Sequence, residues 1–268
     1  MTMNPSQYYQ AGQLAEAIAA AIEEVKKHPA DTSRRGLLCE LLCCNGDLER
    51  ADQHLDTIGK QDAKAMLGIA LFRQLVRGET ARRQFYTEGR VPEFLSEPTP
   101  LMRQLLEASI RIREGNQAEA AQLLLEAEAM RPKVSGTVDG EKIEDFRDLD
   151  DRSAGIFEVL TSTGKYYWIP TERVRCIEFR APERPRDLLW LRAHMTVSDG
   201  PDGEVYLPTI YHGSLEDPDP KVRLGRVTDW KGGQAAPVTG IGLRTFLVGE
   251  EAKTILELKE VLFGDEDA

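Results

Sequence analysis

Ile156-Phe157-Glu158-Val159-Leu160, then Thr163-Gly164-Lys165, then Tyr166-Tyr167-Trp168-Ile169-Pro170: the reading of these residues divides the chain in two. Two short apolar runs on either side of a glycine-containing turn are the pattern of a hairpin of two half-buried strands. After it, Arg173-Val174-Arg175-Cys176-Ile177-Glu178-Phe179 alternates with period two until Pro182 and Pro185 interrupt. Residues 188–197 and 204–210 flank the turn Asp199-Gly200-Pro201-Asp202-Gly203, and residues 242–248 and 255–258 add further strand-like runs. Short strands joined by turn-rich connections predict a small barrel or sandwich rather than a parallel sheet.

Before the hairpin the period is helical. Leu14, Ile18, Ala21, Ile22 and Val25 share one helix face, and His28-Pro29 stops the run. Asp31-Thr32-Ser33 can cap a second helix carrying Leu37, Leu38, Leu41 and Leu42, which Asn45-Gly46 ends. Leu48, Ala51, Leu55 and Ile58 mark a third, a fourth is expected from about Asp62 to Arg77, and residues 101–114 and 117–130 form a last pair. Gly12-Gln13-Leu14 with Ala17 is matched by Gly46-Asp47-Leu48 with Ala51, 34 residues on, and again by Gly115 with Ala120. This resembles tetratricopeptide repeats, in which glycine makes the inter-helix turn, alanine lies where the helices touch and proline closes the unit. In that register Gly78 would be the turn glycine of a degenerate third unit, with Arg82-Arg83 in place of the small residue.

The expected fold is therefore α+β: a tetratricopeptide-like helical array over residues 1–132, an acidic linker over 133–153 containing Asp148, Asp150 and Asp151, and a β-rich domain over 154–268. The formal net charge of −11 repels phosphate backbones and anionic lipid, so neither nucleic acid nor membrane is an expected partner. Nothing reads as a secretory signal or a membrane span, which predicts a cytoplasmic location. Cys39, Cys43 and Cys44 crowd one helix without a paired Cys or His motif, so they read as reduced, small apolar residues at helix contacts. Gly240-Ile241-Gly242 lacks the third glycine of a dinucleotide site. No cofactor or metal is expected, and no nucleophile stands beside a base, which points to a binding component rather than an enzyme.

The residues from Tyr166 to Tyr211 hold two of the three tryptophans and four of the seven tyrosines. Together with the Asp148-x-Asp150-Asp151-Arg152 junction, the motifs Tyr167-Trp168-Ile169-Pro170, Arg186-Asp187-Leu188-Leu189-Trp190, Tyr206-Leu207-Pro208, Tyr211, Thr228-Asp229-Trp230 and Gly240–Leu247 resemble the ImpE family. Its members are also called TagJ or SciE-type accessory proteins. The resemblance implies a cytoplasmic, non-enzymatic accessory factor of the type VI secretion system. Such a factor would bind an N-terminal helix of the small contractile-sheath subunit and be linked to the AAA+ ATPase that disassembles contracted sheaths.

A helix in an aromatic-rimmed groove takes most of its affinity from a few apolar anchors. The candidates are Tyr167, Trp168, Pro170, Arg186, Trp190, Leu207, Pro208, Tyr211 and Trp230, although aromatics beside prolines serve equally as core. Arg173, Arg175, Arg180, Arg184 and Arg186 form a basic series that could attract an acidic partner or pair with the linker carboxylates. An alternative is a general tetratricopeptide-type scaffold that binds another peptide on its helices. A hydrolase using Glu144, Asp145, Asp148 and Asp151 is a third reading, and an acidic linker explains those carboxylates without it.

Overall fold

The computed structural model describes residues 3–233 and 235–264. Seven helices come first: α1 (Pro5–Gln10), α2 (Leu14–Lys27), α3 (Thr32–Cys44), α4 (Leu48–Gln61), α5 (Met66–Glu88), α6 (Pro100–Arg113) and α7 (Gln117–Met130). Their ends follow local chemistry. The Asp31 carboxylate accepts the Arg34 N–H at 3.0 Å to start α3, and Thr99 caps α6 in the same way. Gly12, Gly46 and Gly115 take φ of +80°, +85° and +82°, the left-handed turn that glycine enters without strain. Ala17, Ala51 and Ala120, each five residues further on, are fully buried.

The strands are β1 (Gly136–Val138), β2 (Glu141–Ile143), β3 (Phe146–Asp148), β4 (Ile156–Leu160), β5 (Tyr166–Pro170), β6 (Val174–Phe179), β7 (Trp190–Val197) and β8 (Asp202–Pro208). The short helix α8 (Pro220–Arg223) precedes β9 (Thr228–Gly233), β10 (Ala236–Gly242), β11 (Thr245–Val248), β12 (Glu251–Thr254) and β13 (Glu260–Phe263). Eight of them form an antiparallel sheet in the order β2-β1-β13-β6-β7-β8-β4-β5. A second sheet runs β12-β11-β3, and β9 with β10 makes a separate ribbon. The large sheet ends at β2 and β5 without the two meeting, so the fold is α+β with an open sheet and no closed barrel. Phe146 and Phe246 of the small sheet pack against Phe157 of the large one, with ring centroids 5.7 and 6.0 Å from it.

Other expectations also differ from what is observed. Residues 133–153 carry β1, β2 and β3, paired into both sheets, and one of their carboxylates, Asp148, finds an arginine partner far along the chain in Arg244. Residues 255–258 form the connection between β12 and β13 rather than a strand, with Ile255 and Leu258 buried. And α5 does not stop at Arg77 but runs for 23 residues, straight through Gly78. That glycine serves close approach, not a turn: a Cβ on it would lie 3.3 Å from Leu160 of β4.

The crossing of α5 over β4 and β5 explains why β4 is buried on both faces rather than half-buried. Ile156 and Leu160 join a core shared with the helices, whereas Phe157 and Val159 join the core between the sheets. Tyr166 and Trp168 of β5 likewise face α5, where the Trp168 ring meets Phe85 edge-on at 4.8 Å. The helices and the strands are thus held by one apolar cluster that spans both halves.

Candidate functional site: a buried charge lock and the surfaces around it

Along β4 every second residue faces α5, and the middle one is a carboxylate, Glu158, with no exposed side-chain surface. Arg82 of α5 meets it with two nitrogens at 3.0 and 3.1 Å, and Arg244 reaches it from the turn before β11. The hydroxyls of Tyr86 (3.1 Å) and Tyr166 also donate to it. Arg244 bridges onward to Asp148 at 2.6 Å, and Asp148 accepts from Tyr211 (2.8 Å) and Ser153 (3.0 Å). Asp150 holds Arg152 and takes the Gly240 N–H at 2.9 Å. On the helical side, Glu79 pairs with Arg82 and Arg83 at 3.4 Å and accepts the Trp190 indole N–H at 3.3 Å.

Four carboxylates thus meet four guanidiniums at the boundary of helices and strands, which keeps the cluster near neutral. Burial alone would raise Glu158, but the Arg82 and Arg244 guanidiniums hold it well below the usual carboxylate range. Burial pushes Asp148 up to about 6, with Arg244 acting against the rise, so both remain ionised at neutral pH. The His212 ring stacks on Tyr86 at 4.2 Å, and burial, helped by Arg82 and Arg152, pushes its pKa down to about 3. Such a network contributes little net stability compared with apolar packing, but removing one partner strands a buried charge. Its effect is to fix how α5 docks on the sheet, as a lock between the helices and the strands.

This interior takes up most of the residues singled out from the sequence. Trp168, Pro170, Trp190, Leu207, Pro208 and Tyr211 are buried within the chain itself. Tyr167 and Arg186 are half-buried, and Trp230, at 38% exposure, is the one that faces solvent most openly. Trp230 approaches Tyr211 at 5.8 Å, and the Arg186 guanidinium lies over the Phe72 ring at 4.7 Å, so neither is isolated. Of the basic series, Arg180 pairs with Glu178 and Arg173 donates to Ser96 and the Ser198 carbonyl, not to residues 133–153. Those carboxylates are taken by Arg131, Arg147, Arg152 and Arg244 instead. Cys39, Cys43 and Cys44 are buried in α3, and burial pushes Cys39 and Cys44 up to about 12.

Sequence reasoning gave no role to Glu79, Arg82, Tyr86, Glu158 or Arg244. A signal was present: a charged residue at the centre of the apolar run 156–160, and arginine where a repeat wants a small residue. Three grooves open on the surface of the described residues, the widest, about 740 Å³, between α4 and the middle of α5 beside Asp52, Gln53, Arg77 and Thr80. Another, of about 590 Å³, lies among α1, α2 and α3, lined by Met3, Pro5, Ala20 and Leu37. The third, about 310 Å³, lies between the start of β8 and the β4–β5 hairpin, with Leu95 at its end.

The family described as ImpE protein matches residues 140–262. A Pseudomonas aeruginosa protein, the type VI secretion system accessory component TagJ, is 31% identical over 269 residues, covering 100% of this chain and 94% of its own. The chain belongs to the ImpE family. A crystal structure of protein VPA1032 from Vibrio parahaemolyticus has the same fold, with a TM-score of 0.91 at 28% identity over 98% of each chain. The ImpE match contains Asp148, Glu158, Tyr166, Tyr211 and Arg244 but not Glu79, Arg82 or Tyr86, which α5 supplies. The ImpE-matching part of this chain therefore holds most of the lock, and the helical array completes it. Among the described residues no helix is long and apolar enough to cross a membrane.

Proposed function

We propose that this ImpE protein is a non-enzymatic, cytoplasmic adaptor of a type VI secretion system. It binds an N-terminal helix of the small contractile-sheath subunit and links it to the AAA+ sheath-disassembly ATPase. The observation that carries the reading is the end-to-end similarity to TagJ, at 31% identity over the whole chain. The electrostatics support it: the carboxylates of the lock are already saturated by arginine and tyrosine donors, so they hold the scaffold rather than attack a substrate. Residues 1–132 act as a tetratricopeptide-like array and 154–268 as the β-rich body, with Tyr167, Arg186 and Trp230 as the accessible partner contacts.

A pull-down with the tagged full chain from cells expressing the cognate sheath subunits tests this directly. The small sheath subunit should co-purify, and Trp230→Ala, Tyr167→Ala or Arg186→Ala should weaken its capture. Absence of the subunit from the eluate of the folded wild-type protein would reject the reading. The groove among α1, α2 and α3 favours a second reading, a general peptide scaffold. That alternative predicts capture of a partner other than the sheath, lost on Ala20→Arg and unaffected by Trp230→Ala.

A further inference from the structure

β8 extends past the strand beside it. β4 meets β8 at the single pair Leu160 with Tyr206, after which the chain turns through residues 161–165 into β5. The stretch from Asp202 to Val205 therefore has β7 on one side and, among the described residues, no strand on the other. Backbone bonds from Thr209 to Leu189 and from Val197 to Pro201, both 3.0 Å, set the alternation of the β7–β8 ladder. By that alternation Gly203 and Val205 bond to β7, while the N–H and C=O groups of Asp202 and Glu204 point to the open edge.

At the foot of this edge lies the groove of about 310 Å³. Val159, Ile169, Met195 and Val197 are its buried floor, and Tyr167 and Val205 its half-buried walls. The side chains of Asp202 and Glu204 point to the opposite face, where they are exposed beside His194 (2.7 Å) and Arg192 (3.6 Å). Asp199 in the preceding turn adds a third carboxylate to this rim. The edge strand β5, two places beyond β8 on the same side of the sheet, is treated differently. There Glu93 already bonds the Tyr166 carbonyl and the Trp168 N–H at 2.9 and 3.1 Å, and Pro170 offers no donor, so that edge is blunted.

An open strand edge beside an apolar groove supplies both requirements of strand addition, main-chain bonds for affinity and a pocket for alternate side chains. We propose that the Asp202–Val205 edge captures an extended segment of a partner protein, about four residues long, added as a further strand. The segment is apolar at every second position, to fill the groove, and basic at the positions between, to meet Asp199, Asp202 and Glu204.

The probe is a fluorescein-labelled, end-blocked peptide of alternating Lys and Val, titrated into the full chain by fluorescence anisotropy. Saturable binding is expected, with the Asp202 and Glu204 amides becoming protected from hydrogen exchange. Glu204→Pro removes an N–H that no strand uses, and Gly203→Leu adds a side chain where a Cβ meets nothing within 4 Å, so both should melt as the wild type does. Each should weaken binding at least about tenfold. The same peptide N-methylated at every backbone amide, which removes the bonding N–H groups in either strand direction, should fail on the wild-type protein, a control that needs no variant. Undiminished binding of the N-methylated peptide, or of the wild-type peptide by Glu204→Pro, would overturn the proposal, as would no saturable binding. A concentration-dependent dimer that Gly203→Leu dissolves would also overturn it, by making the occupant a second copy of this chain.

Discussion

Replacing Glu158 with Gln keeps the shape of the lock and removes the charge at its centre. Glu158 receives two nitrogens of Arg82, one of Arg244 and two tyrosine hydroxyls, while Arg82 and Arg244 are 2% and 3% exposed. Arg244 would keep Asp148 at 2.6 Å, but Arg82 would be left with Glu79 at 3.4 Å and the Ile210 carbonyl at 3.2 Å. Taking one partner from a buried ion pair typically costs about 3–5 kcal/mol. For a chain of this size each kcal/mol lowers Tm by roughly 2–4 °C, so a fall of roughly 6–20 °C is expected. Thermal and urea unfolding of Glu158→Gln beside wild type, both at neutral pH, measures it. A loss below about 1 kcal/mol would refute the argument that this carboxylate offsets two buried guanidiniums.

Other perturbations test other parts of the structure. His212 is neutral in the fold with its pKa down at about 3, against 6.5 when free, so the unfolded chain binds the proton first and stability falls as pH drops below 6.5. Between pH 7 and pH 5 that amounts to about 2 kcal/mol, and His212→Phe should flatten this part of the stability profile. Glu158, depressed in the fold, contributes stability present above its unfolded pKa near 4.5 and lost as pH falls further, so the Gln variant should lose less than wild type between pH 5 and 3, a comparison made by urea unfolding. Gly240→Ala would place a Cβ inside the Tyr211 ring, whose hydroxyl is anchored by Asp148 and Thr245; overpacking of about 1–3 kcal/mol should appear in the urea midpoint. Trp168→Ala, at 1% exposure, should cost about 3–5 kcal/mol, while Trp230→Ala should fold almost as well as wild type by the same assay.

The parts of the fold that were legible in the sequence are those governed by neighbouring residues. α2, α3, α4, α6 and α7 end within a residue or so of their expected bounds because capping residues and turn glycines act over a few positions. The β4–β5 hairpin is legible for the same reason, since its turn lies between its two strands. Long-range chemistry was not. Gly78 carries the same sequence signal whether it turns a chain or lets a strand approach, and only Leu160, far along the chain, decides between them. The carboxylates of residues 133–153 look like a solvated linker until Arg244 is placed beside Asp148.

The aromatic stretch poses the same problem in another form. Trp168 and Trp230 are equally suited to a core and to an interface, and nothing local in the sequence says that α5 covers the first and leaves the second exposed. Several family-motif residues belong to the lock: Asp148, Asp150, Tyr211 and Arg244 are bonded within that network inside the protein. Substitutions there should act on partner binding only through folding.

Calorimetric titration of the N-terminal segment of the cognate small sheath subunit into the full-length protein tests the adaptor reading most directly. One-to-one binding that Trp230→Ala weakens at unchanged Tm is the predicted result. No binding heat from a folded protein, at any accessible peptide concentration and temperature, would contradict it.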